Sequence, residues 1–137
     1  MLSHDNMKSS LRLENLYFER ILFEAFGEAS GNEKEADIGF KLDAPVFSEQ
    51  YLSIKLRARV SVEDIFRTEL CLVGKFEPSD KQNMAQYVPN AVAIMFPYLR
   101  SQITLITAQP NIPTIVLPAI NINKLLENCI NQYSCLK

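Results

Sequence analysis

The chain has 137 residues and a formal net charge of −2, with 47% hydrophobic and 22% charged residues. This length suits one domain, and the composition is that of a soluble globular protein and not of a disordered chain. The small net charge argues against a polyanionic partner such as nucleic acid, and the basic stripe of Lys55, Arg57 and Arg59 is expected to be a solvated strand face.

The chain begins with a polar stretch, residues 1–10, that is expected to be a flexible N-terminus. Residues 11–137 are expected to form a single domain. The longest apolar run, residues 91–99, is too short to cross a bilayer, and the N-terminal stretch lacks the apolar core of a signal peptide. We therefore expect a cytoplasmic protein without membrane insertion.

The first predicted strand lies within residues 13–26, which read LENLYFERILFEAF. Its apolar side chains occupy both parities of the strand, so we expect a strand with two apolar faces. Leu13, Tyr17, Ile21 and Phe23 share one parity, and Leu16, Phe18 and Leu22 share the other.

Three further segments complete the predicted strands. A charged surface loop over residues 27–37 leads to a short strand at residues 38–42. Residues 52–62 alternate apolar and polar side chains, which is the period of a half-buried strand. Residues 66–76 follow after a very short connection, so these two segments are expected to pair as an antiparallel hairpin.

The second half of the chain predicts helices. Ser79 is expected to cap a short helix that ends near Pro89. Pro97 is expected in the first turn of a longer helix that ends near Gln109. Residues 110–121 combine three prolines with several aliphatic side chains, so they are expected to form an apolar crossover and not a central strand.

A last helix is predicted after the crossover, with Asn121 or Asn123 as its cap. Its apolar stripe at helical spacing comprises Ile122, Leu125, Leu126, Cys129, Ile130 and Tyr133. Strands therefore come first and helices second. This order predicts an α+β fold in which an antiparallel sheet is covered by helices on one face.

The sequence offers little for catalysis or for cofactor binding. The three cysteines have no paired CxxC spacing, the only histidine is His4, and the four glycines form no phosphate-binding loop. Cys71 remains as a candidate nucleophile, but no second group is available to activate its thiol. We expect no enzymatic activity, no cofactor and no metal site.

The apolar side chains exceed what one domain of this size can cover, on both parities of the first strand and along the crossover. Such a surplus predicts either a binding groove or the closure of a homo-oligomer.

The segment from Phe96 to Leu126, FPYLRSQITLITAQPNIPTIVLPAININKLL, resembles the SecB protein-export chaperone family. In that family a Phe-Pro-Tyr-x-Arg helix start leads through a crossover that ends in Leu-x-Pro-x-Asn. The strand segments RILFEA, LRARVSV and LCLV are similar to the first strand and the central hairpin of the family. The likeness covers about residues 13–133.

The resemblance implies a four-stranded antiparallel sheet with two helices packed on it, assembled as a dimer of dimers. It also implies an ATP-independent holdase, a chaperone that keeps new polypeptides or preproteins unfolded for export. A binder of unfolded chains needs long, adaptable apolar grooves. By this analogy the client-binding groove comprises Phe18, Met95, Phe96, Ile112, Ile115, Leu117 and Ile120.

The resemblance implies two further surfaces. The family contacts the translocase motor SecA through acidic residues on the outer sheet face, and the corresponding surface here comprises Arg20, Glu24, Leu70 and Leu72. Only Glu24 keeps the acidic character, so we expect client binding to be retained and SecA binding to be weakened. The expected oligomer interface, in a dimer or a tetramer, comprises Cys71, Val73, Leu99 and Ile103, with the first two on the helix-facing side of the sheet.

Two alternatives stay open at this point. The chain could be a dedicated SecB-like chaperone of one client, such as the antitoxin of a toxin-antitoxin system. It could instead be an oligomeric adaptor that uses its apolar faces only for self-assembly.

Overall fold

The computed structural model describes residues 10–27 and 34–127. The expected flexible N-terminus lies outside the described residues except for Ser10. The predicted loop at residues 27–37 is described only at its two ends. Cys129 and Cys135, with the C-terminal part of the last predicted helix, also lie outside the described residues.

Five antiparallel strands form one sheet. They are β1 (Leu11–Ala25), β2 (Asp37–Leu42), β3 (Val46–Phe47), β4 (Leu52–Val62) and β5 (Phe66–Pro78). The four long strands lie side by side in the order β1, β5, β4, β2, and the two-residue β3 pairs with β4. With a helix packed on one face of this sheet, the predicted α+β fold class is confirmed.

The hairpin of β4 and β5 forms the centre of the sheet. A tight turn joins the two strands, and Asp64 adopts a left-handed conformation there with φ of 66°. Alternate residues of β4 point toward the helix and are all buried. They are Leu52, Ile54, Leu56, Ala58, Val60 and Val62. We call the sheet face that carries these residues the inner face and the opposite one the outer face.

β1 lies at the edge of the sheet and pairs with β5 through two one-residue register shifts, one between Leu13 and Asn15 and one between Phe18 and Arg20. Each shift leaves one extra residue on β1, Glu14 or Glu19, as in a β-bulge. A side chain lies on the same face of the sheet as the residue directly opposite. Each shift therefore exchanges the set of alternate β1 residues that lies on the inner face with the set on the outer face.

The two shifts gather apolar residues of both parities onto the inner face. Opposite inner-face positions of β5 lie Leu11, Leu13, Leu16, Phe18, Ile21 and Phe23. The expectation of two separate apolar faces was therefore wrong for most of the strand, because it assumed a regular alternation. Tyr17 and Leu22 are the large hydrophobic residues of β1 that remain opposite outer-face positions.

The first helical turn after the sheet is shorter than predicted. Asp80 accepts hydrogen bonds from the Gln82 N–H and from the Asn83 side chain, both at 3.1 Å, which favours a turn over a helix start. A 3₁₀ turn at Met84–Tyr87 follows, and Ser79 caps no helix.

The main helix, α1, spans Val88–Thr107. It begins well before Pro97, which the sequence predicted to lie in the first turn. Pro89 lies in its first turn, where a missing N–H costs no hydrogen bond. Pro97 lies inside the helix. It removes the hydrogen bond to the carbonyl of Ala93, but both residues are exposed, so water can reach that carbonyl.

α1 packs across the inner face and closes the core. Its buried residues are Ala91, Val92, Met95, Phe96, Leu99, Ile103 and Thr107. Gly74 of β5 lies beneath Met95, and a Cβ atom there would be 2.8 Å from the Met95 Sδ atom. An extended crossover then leads to a helical segment at residues 122–127, where the Asn121 Oδ1 atom accepts a hydrogen bond from the Lys124 N–H at 3.2 Å. The predicted cap at Asn121 is thus confirmed.

Candidate functional site

The crossover is fixed to the last turns of α1 by two threonines. The Thr104 hydroxyl donates to the Ile115 carbonyl oxygen at 2.9 Å, and the Ile115 N–H donates to the Thr107 hydroxyl oxygen at 2.9 Å. Thr107 is fully buried and also donates to the Ile103 carbonyl at 2.8 Å. These bonds satisfy the main chain of the crossover at Ile115 and hold the neighbouring residues in a defined position.

A shallow depression of about 400 Å³ lies between α1 and the crossover. It is lined by Arg100, Ser101, Thr104, Val116 and Leu117. Val116 is 73% exposed, the highest value among the large exposed hydrophobic residues of the described chain. The depression therefore combines an apolar wall from the crossover with polar groups from the helix.

The residues predicted for the client-binding groove fall into two groups. Phe18, Ile112, Ile115 and Ile120 are half-buried and pack against the edge of the core, so each still presents part of its surface. Met95, Phe96 and Leu117 are 0%, 4% and 5% exposed.

The placement of Met95 and Phe96 on an open groove was wrong. α1 begins earlier than predicted, and this turns both residues toward the sheet, where the Phe96 ring packs edge-on against Phe40 at 5.5 Å. Leu117 is likewise part of the core.

Several exposed hydrophobic residues were not singled out from the sequence. They are Phe26, Val46, Phe47, Tyr98, Leu105 and Val116. Val46 and Phe47 lie in the two-residue strand β3, and Leu105 lies on the solvent side of α1. The helical spacing of Leu105 relative to Leu99 and Ile103 was the signal that could have placed it on the outside.

The residues assigned to a SecA-facing surface do not share one face of the sheet. Arg20 and Glu24 lie opposite outer-face positions of β5, and Glu24 forms an ion pair with Arg67. Leu70 and Leu72 are 2% and 0% exposed on the inner face, so their placement on the surface was wrong. They pair with Ala58 and Leu56 of β4, and this register fixes them toward α1.

The same register corrects the expected oligomer interface. Cys71 and Val73 pair with Arg57 and Lys55, so they lie on the outer face and not on the helix-facing side. Both are covered by neighbouring side chains of the same chain. Leu99 and Ile103 belong to α1 and are fully buried between this helix and the sheet. None of the four residues is therefore available at the surface for a second copy.

The outer face carries a set of ion pairs. Arg57 donates from Nε and Nη2 to the two carboxylate oxygens of Asp43, both at 2.9 Å, and this holds the pKa of Asp43 below its ordinary value. Lys55 Nζ lies 3.1 Å from a Glu19 carboxylate oxygen, and this hydrogen bond lowers the pKa of Glu19.

Cys71 lies among these charges without being activated by them. Its burial raises the pKa of the thiol, and the Sγ atom donates toward the Glu19 carboxylate at 3.5 Å. A thiol with a raised pKa is a poor nucleophile at neutral pH, which disfavours Cys71 as a catalytic nucleophile.

Within residues 10–27 and 34–127, no group of three or more histidine, cysteine or acidic side chains is arranged to hold a metal ion. In the same part of the chain, no helix has the length and apolar character needed to cross a membrane.

Among solved structures, the chain is similar to the SecB-like chaperone Rv1957 of Mycobacterium tuberculosis, which was solved in complex with a ChAD peptide from the antitoxin HigA1 (Rv1956). The TM-score is 0.61 over 81% of this chain and 88% of that chain, at 11% sequence identity. The chain has a SecB-like fold.

Other comparisons are weaker than this SecB-like match. A protein of unknown function from Streptococcus agalactiae matches with a TM-score of 0.47 and 14% identity, over 81% of this chain and 98% of that chain. In sequence, 39 residues are 51% identical to the uncharacterized protein MJ0357 of Methanocaldococcus jannaschii. This match covers 28% of this chain and 25% of the length of that relative. No protein-family model matches the chain.

Proposed function

We propose that this protein is an ATP-independent holdase that binds unfolded polypeptides through apolar surface. The proposal rests on the SecB-like fold in combination with large hydrophobic side chains that stay exposed although the core is filled. An exposed apolar surface of this kind marks an interaction site, and an unfolded chain offers complementary apolar side chains.

The crossover is the part of the chain best suited to hold a client. Ile112, Ile115 and Ile120 each present part of their surface, and Val116 projects into solvent beside the depression on α1. The threonine hydrogen bonds keep this apolar ridge ordered before a client arrives, so less conformational entropy is lost on binding. Half-buried aliphatic side chains can also shift between rotamers and accept clients of different sequence.

The test uses Val116→Asp, because this side chain is exposed and its replacement leaves the core intact. Loss of the valine surface that a bound client would cover, together with the introduction of a charge, should weaken client binding by about tenfold. The matched control is Asn111→Asp, which adds the same charge at an exposed position of the same region. Changes at Leu117 are less useful, since that residue belongs to the core.

The measurement is light scattering of citrate synthase during thermal unfolding, with increasing amounts of each variant. The parent and Asn111→Asp should suppress aggregation near one-to-one ratios, and Val116→Asp should require a larger excess. Size-exclusion chromatography with light scattering should give all three the same oligomer mass. Absence of suppression by the parent would reject the holdase proposal.

The adaptor alternative is favoured by one observation. β1 is an edge strand with Leu13, Tyr17 and Ile21 exposed, and an unpaired apolar edge readily pairs with a second copy. If the parent assembles as a homo-oligomer, a dimer or a tetramer, without suppressing aggregation, this alternative is the better account.

The choice between export and a dedicated client is a second question within the chaperone proposal. The M. tuberculosis structural neighbour is described in complex with an antitoxin peptide, which favours the dedicated form. Binding of a non-native client without binding of SecA, measured by calorimetry in separate runs, would support it. Binding of SecA with micromolar affinity would instead support a role in export.

A further inference from the structure

A second depression, of about 370 Å³, lies on the outer face of the sheet, away from the crossover. Four cationic side chains and one carboxylate line it together with the Cys71 thiol. The lining side chains are Arg20, Lys41, Arg57, Arg59, Glu69 and Cys71. We call this feature the basic pocket. It is formed by residues from β1, β2, β4 and β5, so it exists only in the folded sheet.

The cations of the basic pocket are only partly neutralised by the chain itself. Arg57 is engaged by Asp43, and Arg20 lies 3.8 Å from Glu69, which is a loose contact. Among the described residues, no carboxylate lies within 4.0 Å of the Lys41 ammonium or the Arg59 guanidinium, and both residues are exposed. Within the described part of the chain neither group is held in an ion pair, so each can bind an anion from outside.

The strand register increases this positive charge locally. Lys41 of β2 lies directly opposite Arg57 of β4, on the same face of the sheet. Asp43 neutralises Arg57, and the positive charge of Lys41 also helps to lower the pKa of Asp43. One carboxylate does not balance two cations, so this pair keeps an excess of positive charge that favours an anionic ligand.

A glycine provides the room for that ligand. Gly39 lies opposite Arg59 and lines the pocket, and a Cβ atom built there would meet no other atom within 4 Å. Glycine weakens the interior of a strand and often marks a place where another chain approaches closely. The volume of the pocket is enough for one or two side chains.

We propose that the basic pocket binds glutamate or aspartate side chains of an acidic polypeptide segment in a partner protein. Lys41 and Arg59 bind the carboxylates, and Gly39 leaves space for the backbone that carries them. This site is independent of the crossover, so a partner could occupy it while a client is held elsewhere.

The surroundings favour a peptide over a nucleic acid. Glu19, Asp43 and Glu69 lie on the same face and would repel a long polyanion, and the chain has a net charge of −2. Glu69 lies directly opposite Arg59 and lines the pocket, so the site can accept only a few negative charges. A short acidic segment meets this limit with one carboxylate at Lys41 and one at Arg59, whereas a long polyanion exceeds it. Backbone from the segment can also contact the uncharged floor at Ala58 and Cys71.

The experiment measures fluorescence anisotropy of a fluorescein-labelled peptide of alternating glutamate and alanine, titrated with the full chain. The parent should bind it, and added salt should weaken binding because the contact is electrostatic. Lys41→Glu with Arg59→Glu should weaken binding by at least about tenfold. The control Lys124→Glu makes one charge reversal of the same kind, half of the total change, in the helical segment that packs on the inner side, and it should bind as the parent does.

A second variant tests the shape of the pocket and leaves its charge unchanged. Gly39→Val fills the space above the strand, and valine favours strand structure, so the variant should fold at least as stably as the parent. It should also lose most of the peptide affinity. Circular dichroism confirms the fold of each variant before binding is measured.

Four outcomes would overturn the proposal. The first is the absence of binding by the parent, and the second is unchanged affinity in the Lys41→Glu, Arg59→Glu variant. The third is equal affinity for a matched lysine and alanine peptide. The fourth is displacement of the acidic peptide by inorganic phosphate or by a single-stranded oligonucleotide, when the competitor supplies the same concentration of negative charges as the peptide. Unchanged binding in Val116→Asp, together with loss of client holding, would support two separate sites.

Discussion

The contact between Gly74 and Met95 gives a sharp test of how α1 packs on the sheet. A Cβ atom at position 74 would lie 2.8 Å from the Met95 Sδ atom and 2.8 Å from the Phe76 Cε1 atom. Both neighbouring side chains are fully buried, so neither has free space into which it could move. Gly74→Ala must therefore push α1 away from β5 or force a strained rotamer.

The magnitude follows from two opposing terms. Overpacking of a filled core costs about 1–3 kcal/mol. Replacement of glycine by alanine lowers the conformational entropy of the unfolded chain and returns about 0.4–1 kcal/mol. The net expectation is a loss of about 1–2 kcal/mol in the free energy of unfolding, or a Tm lower by about 2–8 °C.

The assay is urea denaturation followed by circular dichroism at one fixed protein concentration. The matched control is Gly39→Ala, the same substitution in the same sheet at a position where the new Cβ atom meets nothing within 4 Å. That variant should be as stable as the parent or more stable by up to about 1 kcal/mol. In a Met95→Ala background the cost of Gly74→Ala should fall, because the clashing side chain is gone.

Equal stability of Gly74→Ala and Gly39→Ala would refute the reasoning. It would mean that α1 does not press on β5 at this point, and that the burial of Met95 has another origin. An unchanged cost of Gly74→Ala in the Met95→Ala background would assign the strain to Phe76 alone.

Two further predictions concern the crossover and the outer face. Thr107→Val keeps the shape of the side chain but leaves the Ile115 N–H without a partner, so it should cost about 1–3 kcal/mol and accelerate amide exchange at Ile115 in hydrogen-exchange NMR. Asp43→Asn should lower the free energy of unfolding by about 0.5–1 kcal/mol at neutral pH, because the acceptor loses its negative charge and one of the two hydrogen bonds from Arg57 loses its acceptor. Since the pKa of Asp43 is lowered in the folded chain, its contribution is present above the ordinary value of 3.8 and is lost as the pH falls through the folded pKa. Urea titrations of parent and variant should therefore converge at acidic pH, and a constant difference would argue against the ion pair.

The central hairpin could be predicted from the sequence because one face of it is buried and the other is not. β4 alternates without interruption, and a short turn connects it to β5, so periodicity and connection length agree. The crossover could also be predicted from the sequence, since its prolines exclude a central strand. Asn121 is the kind of residue that caps a helix, and it does so here.

The start of α1 could not be placed because two prolines compete for the same role. Either Pro89 or Pro97 can occupy a first turn, and the sequence alone favours the one nearer the strongest apolar spacing. The tertiary structure decides the matter, since Met95 and Phe96 fill the space above β4 and β5 and keep the helix continuous through Pro97. Met95 and Phe96, which were predicted to line the groove, lie in the core because the helix continues through Pro97.

The outer face was the least predictable part of the molecule. The register of β1 depends on two bulges for which its sequence carries no local signal. The two faces of β5 were exchanged for a different reason: they follow from the register with β4, whereas the prediction took them from the family resemblance. The basic pocket also joins residues from four strands, such as Arg20 and Lys41, whose proximity follows only from the strand order. Sequence alone shows Arg57 and Arg59 as a solvated stripe and gives no reason to connect them with the other strands.

The bulges in β1 have a consequence for how such strands change over evolutionary time. Deletion of Glu19 would leave Phe18, Arg20 and Ile21 in plain alternation, with each side chain on the face it already occupies. A gap inside this strand is therefore compatible with the same core, whereas a gap one position earlier would remove Phe18 from it. An alignment that penalises gaps inside strands more than gaps in loops would therefore misplace residues at the point where this sheet tolerates a change of length.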